Sequence, residues 1–383
     1  MELIAMALIL AAIVVTQFYL YEKNGLKNVN YTISISVPEA YENDEIEIVE
    51  EIENAKRLPL VWARSEISCS PYLTFKWQKF IQNEQNVQRG LISGIFALRG
   101  YQKCRRVWKV RCEKRGIMTI DNATVTISDL FGLTKKAKVF KVFDSVRVLP
   151  IPADMETDNL SGDLFIGNMQ VRRFVLPDPF MISGAREYSG REPMNRIHWA
   201  QTARTGRLMA YNNEFTTERR VMIILNMQRG KAYFQPLSDN TLELQIKAAA
   251  FALDYCQKTG AECALAANTP ENLIVPAASG YEHTINVLRL LAELENECGE
   301  RIDDLISELD FNEITDVFLI TPFVSEKVGE FLSGLSSKGK CCKIFTANLV
   351  DGDENVPQNV EIISIPSGTN VEGGTNEQKS IAV

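Results

Sequence analysis

A chain of 383 residues with 45% hydrophobic and 23% charged side chains exceeds one ordinary core and predicts at least two folded domains. Its net charge of −8 excludes general nucleic-acid binding, which needs a cationic face to displace counterions from phosphate. The eight cysteines, at 69, 104, 112, 256, 263, 298, 341 and 342, contain no C-x-x-C pair; this is the pattern of scattered reduced thiols, not of a zinc centre, although a Cys104–Cys112 bridge stays open for a body outside the cell.

Residues 1–22 contain LIAMALILAAIVVTQFYL, an uncharged run from Leu3 to Leu20 long enough as a helix to cross a hydrocarbon layer. No basic start precedes it and no small-x-small cleavage site follows, so an anchor is expected and not a cleaved signal. Lys23 and Lys27 on the long side place the body in the cytoplasm of a single-pass membrane protein. From 30 to 149 the period is two: Tyr31, Ile33, Ile35 and Val37 alternate with Thr32, Ser34 and Ser36, and Trp108, Val110 and Cys112 alternate with Lys109, Arg111 and Glu113. These short runs predict an antiparallel β-sandwich of immunoglobulin-like architecture. Within it Arg99, Lys103, Arg105, Arg106, Lys109, Arg111, Lys114 and Arg115 crowd together, followed by Lys135, Lys136, Lys138 and Lys141. They read as a solvated strand face, as a patch for anionic lipid headgroups or, last, as a local nucleic-acid contact.

Residues 150–218 read as a connector, interrupted by Pro150, Pro152, Pro177, Pro179 and Pro193. It contains SGAREYSGREPMNRIHWAQTARTGRL, Ser183 to Leu208, which has no clean hydrophobic period and so suits polar networks or partner contacts. From 219 to 367 the pattern changes again. The apolar run VMIILNM is followed by a helix with Leu242, Ile246, Ala249 and Leu253 on one face. Strands at Cys263 to Ala267, Asp316 to Thr321, Lys343 to Ala347 and Val360 to Ile365 alternate with helices near Tyr281 to Cys298 and Val324 to Ser336. Buried parallel strands alternating with helices predict a doubly wound α/β domain. Residues 368–383 are small, polar and nonperiodic, as in a flexible tail.

The central segment resembles the family catalogued as domain of unknown function 58 (DUF58), on Arg186, Tyr188, Glu192, Arg196, Ile197, Trp199, Ala203 and Arg204. One departure is that the family's Gly-Asp becomes Arg191-Glu192, with Gly190 one place earlier. A second region is similar to the family's R-G and D-x-F-G-L motifs: Arg115-Gly116, then Asp129, Phe131, Gly132 and Leu133. The resemblance implies a von Willebrand factor A-like C-terminal domain and an association with MoxR-type AAA+ ATPases.

A working metal site in an A-type domain has D-x-S-x-S after its first strand. Here the loop reads Asn226, Met227, Gln228, Arg229, Gly230; the acid and both hydroxyls are gone, and a later strand ends in Thr321-Pro322 where an acidic ligand would be useful, so no metal or other cofactor is expected. Gly334 to Lys340 has phosphate-loop spacing, but Cys341 stands where a hydroxyl would hold magnesium, and the run closes a helix instead of opening one. Only His198 and His283 offer imidazoles, and no nucleophile motif accompanies either. Arg186, Glu192, Arg196 and Arg204 read as an ionic latch or, with Tyr188, as a partner surface, and His198 as a packed structural group. The expected function is a membrane-anchored, non-catalytic adaptor that binds a protein partner. The competing readings are an envelope hydrolase using His198 and Glu192, and an extracytoplasmic ligand binder.

Overall fold

The structure, a computed structural model, describes residues 2–75, 90–155, 182–188, 194, 197–213, 219–230, 237–347 and 355–366. The expected tail therefore lies outside the described residues. The chain divides into two compact units, Met1–Pro152 with Ile285–Glu295, and Ala153–Thr284 with Asn296–Val383.

In the first unit helix α1 (Glu2–Asn24) contains the apolar run, and Leu3–Asn24 is long and apolar enough to cross a membrane. Its lower end is fastened to the body. The Tyr21 hydroxyl donates to the Pro59 carbonyl at 2.9 Å, and Glu22 pairs with Lys136 at 2.9 Å. Lys56 Nζ donates to the carbonyls of Gly25 at 2.7 Å and Lys27 at 3.0 Å, where the helix dipole favours a cation. Burial pushes the Lys56 ammonium down to about 8. A Cβ on Gly25 would lie 2.4 Å from the Tyr21 carbonyl oxygen and 2.5 Å from Ile127 Cδ1, so only glycine fits the join.

The body of this unit is a β-sandwich. Its strands are β1 (Val29–Ile35), β2 (Glu39–Tyr41), β3 (Glu45–Asn54), β4 (Leu60–Cys69), β5 (Leu73–Phe75), β6 (Gly90–Leu98), β7 (Gln102–Cys112), β8 (Gly116–Ser128) and β9 (Lys135–Leu149). One sheet has the order β1-β3-β7-β5 and the other β2-β9-β8-β4-β6; every pairing is antiparallel except β2 with β9. Ile48, Ile52 and Val110 from the first sheet meet Ile67, Ile120 and Val146 from the second in one core. Each such fully buried aliphatic side chain stabilises the sandwich by roughly 1.5–3 kcal/mol.

Strand β3 alternates isoleucine with glutamate, and its register explains the basic cluster. Glu45, Glu47, Glu51 and Glu53 stand opposite Arg111, Lys109, Arg105 and Lys103 of β7. Lys103 reaches Glu51 at 2.6 Å and Arg105 reaches it at 3.8 Å. Lys103 and Arg105 thus share Glu51 across the strands, an arrangement in keeping with a solvated strand face for β7. One pair faces inward. Buried Glu50 accepts from Tyr31 Oη at 2.7 Å and Trp108 Nε1 at 2.8 Å, with Arg106 at 3.9 Å. Burial first, and then the Glu50 charge, pushes the Tyr31 hydroxyl far up. Cys104 and Cys112 lie on the same strand, eight positions and so about 26 Å apart, well beyond disulfide reach. All eight cysteines are free thiols.

The second unit contains β10 (Ile182–Glu187), α2 (Trp199–Thr205), β11 (Met209–Asn213), β12 (Arg220–Leu225), α3 (Asp239–Thr259), β13 (Glu262–Ala267), β14 (Leu273–Ala278), the start of α4 (Tyr281–Glu293), α5 (Ile302–Glu308), β15 (Asp316–Ile320), α6 (Glu326–Ser337), β16 (Cys341–Thr346) and β17 (Glu361–Ser364). The main sheet has the order β14-β13-β12-β15-β16-β17, parallel except for β14. Met222, Ile224, Val317, Leu319 and Ile344 face α5 and α6, while α3 packs on the other side through Leu242, Ile246, Ala249 and Leu253. Helices on both faces make the doubly wound α/β domain that the apolar runs predict.

Candidate functional site

Doubly wound sheets present ligands at the carboxyl ends of their strands, where the strand order reverses. Here that point lies between β12 and β15, and the loops above it bring Asn226, Gln228, Asn268 and Thr321 together, all buried. Asn226 Nδ2 donates to Thr321 Oγ1 at 2.9 Å, and Asn226 Oδ1 accepts from the Gln228 amide at 3.0 Å and Asn268 Nδ2 at 3.3 Å. Asn268 Oδ1 accepts from the Met227 amide at 2.7 Å, and its Nδ2 also donates to the Glu300 carbonyl at 2.9 Å. Gln228 Oε1 accepts from the Ile302 amide at 2.8 Å, at the start of α5. Thr321 Oγ1 donates to the Phe323 carbonyl at 2.6 Å.

The cluster is made of neutral amides and a hydroxyl, each engaged with a neighbour, so it has no charge to offer a dication and no base to offer a substrate. Arg229 is exposed beside it and Gly230 is half-buried at the loop end. Among the described residues no three His, Cys, Asp or Glu side chains converge as metal ligands. The sequence pointed to the loop of Asn226, Gln228 and Gly230 and to Thr321 at a later strand end; it did not point to Asn268, which comes from the end of β13.

The motif segment has local structure that its lack of period concealed. β10 pairs antiparallel with β11, setting Ala185 opposite Tyr211 and Arg186 opposite Ala210. Ile197 bridges to Ala210, and both are buried. The Tyr188 amide donates to the Leu208 carbonyl at 2.9 Å, and half-buried His198 donates its amide to the Met209 carbonyl at 2.7 Å. His198 also caps α2: its Nδ1 accepts from the Gln201 amide at 3.3 Å, a role usually filled by Ser, Thr, Asp or Asn. Gly206 closes α2 with φ +69°. Trp199 is 62% exposed, and Ala203 and Arg204 are also exposed. Glu192 and Arg196, with Gly190 and Arg191, lie outside the described residues.

The second motif divides into two sites in the first unit. Arg115 is buried and its Nη1 donates to the carbonyls of Leu291 at 2.9 Å, Ala292 at 2.9 Å and Leu294 at 3.0 Å, a cation at the carbonyl end of α4. Gly116 follows at φ +124°, which a side chain resists. Asp129 Oδ1 accepts from the Thr134 amide at 2.9 Å, and the Gly132 amide donates to the Asp129 carbonyl at 3.2 Å with Gly132 at φ +72°. Asp129 and Gly132 thus tie the β8–β9 loop into a tight turn, from which Phe131 and Leu133 project.

Residues 184–373 match the family model described as "Protein of unknown function DUF58". The chain contains a DUF58-like domain. The structural motif of β10, α2 and β11 lies almost wholly inside the matched range, while Arg115 and Asp129 precede it. No curated protein matches the sequence. Among solved structures, a CARDB domain from Pyrococcus furiosus matches at 14% identity over 32% of this chain and 90% of its own, with a TM-score of 0.22. A non-cellulosomal cohesin from Archaeoglobus fulgidus matches at 19% identity over 31% of this chain and 91% of its own, with a TM-score of 0.22. The ASH/PapD-like domain of human CEP192 matches at 12% identity over 32% of this chain and 86% of its own, with a TM-score of 0.21. Scores this low transfer nothing about activity to the DUF58-like domain or to the sandwich.

Proposed function

We propose that this protein is a membrane-anchored, non-catalytic adaptor that binds a protein partner, a MoxR-type AAA+ ATPase, and presents a client to it. The observation that carries the non-catalytic part is the buried amide cluster at the carboxyl edge of the sheet. Where a doubly wound domain would hold its reactive or metal-binding groups, Asn226, Gln228, Asn268 and Thr321 satisfy one another. The sheet order, numbered within the domain, is 3-2-1-4-5-6 with the third strand antiparallel. That order supports a von Willebrand factor A-like reading, with the cluster as a metal site whose acid and hydroxyls have been replaced. Lys23 and Lys27 after α1 support a cytoplasmic body. Exposed Trp199 and Arg204 on α2 are the residue types that dominate interface energetics, which supports placing the partner there.

The competing hydrolase reading relies on His198, whose Nδ1 is occupied in capping α2. Purification of the tagged full-length protein from native membranes in several mild detergents tests the adaptor reading. Recovery of a MoxR-type ATPase in stoichiometric amount is expected, and its absence from every preparation refutes the assignment.

A further inference from the structure

The tip of the β8–β9 hairpin exposes three large apolar side chains in four residues: Leu130 is 65% exposed, Phe131 56% and Leu133 60%. Such a patch calls for an occupant, and the direction of the hairpin identifies it. Ile127 lies beside Gly25 at the end of the anchor, and Lys136, its partner across the hairpin, pairs with Glu22. The hairpin therefore lies against the last turn of the helix, with its tip at Leu130 to Leu133. The helix registers this neighbour. Between Leu3 and Leu20, among the residues whose exposure is described, only Val14 and Gln17 are half-buried, and they share a face with buried Tyr21. On the hairpin side, Lys136 donates to the Glu22 carbonyl and pairs with the Glu22 carboxylate at 2.9 Å, which holds the strand against the helix end. Lys135, immediately behind the tip, is exposed.

We propose that Leu130, Phe131 and Leu133 enter the interfacial layer of the bilayer that α1 crosses, with Lys135 at the level of its anionic headgroups. The hairpin is then a second membrane contact, and the D-x-F-G-L residues divide the work: Asp129 and Gly132 form the turn, and the apolar residues contact lipid. This inference rests on the anchor reading of α1, and the test separates the two.

The full-length protein is prepared in vesicles of phosphatidylcholine with phosphatidylglycerol, with the photoreactive analogue p-benzoylphenylalanine replacing Phe131, Phe143 or Phe18 in separate samples. Phe143 is 76% exposed on the same hairpin but far along β9 from the tip, and Phe18 lies in the span. After irradiation, lipid adducts are identified by mass spectrometry. The expected result is lipid adducts at 18 and 131 and none at 143. Adducts at 18 with none at 131, or with only protein crosslinks at 131, overturn the proposal and leave the anchor standing. Equal adducts at 131 and 143 overturn it as non-specific capture, and no adducts at 18 remove the anchor and the proposal together.

Discussion

Single side chains decide whether the motif works as a latch or as a surface. If Arg196 belongs to a buried ionic network, Arg196→Ala leaves an unpaired charge and costs roughly 3–5 kcal/mol, a large fall in melting temperature. If it faces a partner, melting stays within about 2 °C while binding weakens, because surface changes remain within about 0.5 kcal/mol. Calorimetry with a pull-down of the same variant separates the two. At the carboxyl edge, Asn268→Ala strips the Met227 amide and Asn226 of a buried partner. A buried donor left unsatisfied costs about 1–3 kcal/mol, so urea unfolding of this variant is expected at lower concentration with an unchanged slope. Titration calorimetry of the wild type with Mg²⁺ is expected to show no saturable heat. Thiol chemistry provides another check. Burial pushes Cys69 and Cys342 up to about 12 and Cys112 up to about 11. These three are expected to stay unlabelled by a disulfide reagent at pH 8 until the chain is unfolded, when all eight thiols react.

At the scale of elements, the turn and the join give the clearest expectations. Gly132 at φ +72° places Gly132→Ala in the left-handed region, at a cost of about 1 kcal/mol. Gly25→Val puts carbon against a carbonyl oxygen and Ile127, so the sandwich is expected to loosen from the helix and Lys56 to gain exposure to amine-reactive probes. These elements differ in how far sequence exposes them. Buried parallel strands such as β12 and β15 are legible because every residue after the opening Arg220 or Asp316 is apolar, and β1 because its faces alternate. β14 escaped notice because it is a half-buried edge strand containing Pro276, and α5 because it is only seven residues long. The hairpin of β10 and β11 forms a separate two-stranded sheet with an isolated bridge to Ile197, so no long period marks it, and α2 starts on a histidine cap that no propensity rule expects. Lys343 stands at the start of the strand expected from Lys343 to Ala347; it is buried and pairs with Glu361 of β17 at 2.8 Å. Of the candidate site, the loop after β12 was visible as a departure from D-x-S-x-S. Thr321 was visible too, as a strand end lacking an acidic ligand, but Asn268 was not, since nothing local to it signals convergence.

For the molecule as a whole, charge pairing sets the pH response of the first unit. Arg289, through bonds of 2.8 and 2.9 Å, and then Arg147 hold the Glu39 carboxyl below the ordinary value of 4.5 against the opposing effect of burial. A carboxylate with a depressed folded pKa contributes stability that is complete above the unfolded value and is lost as pH falls through the folded one. Melting of the first unit is therefore expected to decline below about pH 4.5, and Glu39→Gln to flatten that decline in a pH series of thermal scans. The same network, with Arg147 on Glu293 at 2.8 Å and Arg115 on the α4 carbonyls, ties chain positions more than 140 residues apart, a link with no local trace in the sequence. The fastening of α1 sets a limit of another kind. With Tyr21, Glu22 and Gly25 clamped to Pro59, Lys136 and Lys56, there is no slack tether between lipid and sandwich. On the proposed anchoring the sandwich therefore tilts and turns with the helix, and a partner that docks on it must come within reach of the bilayer surface.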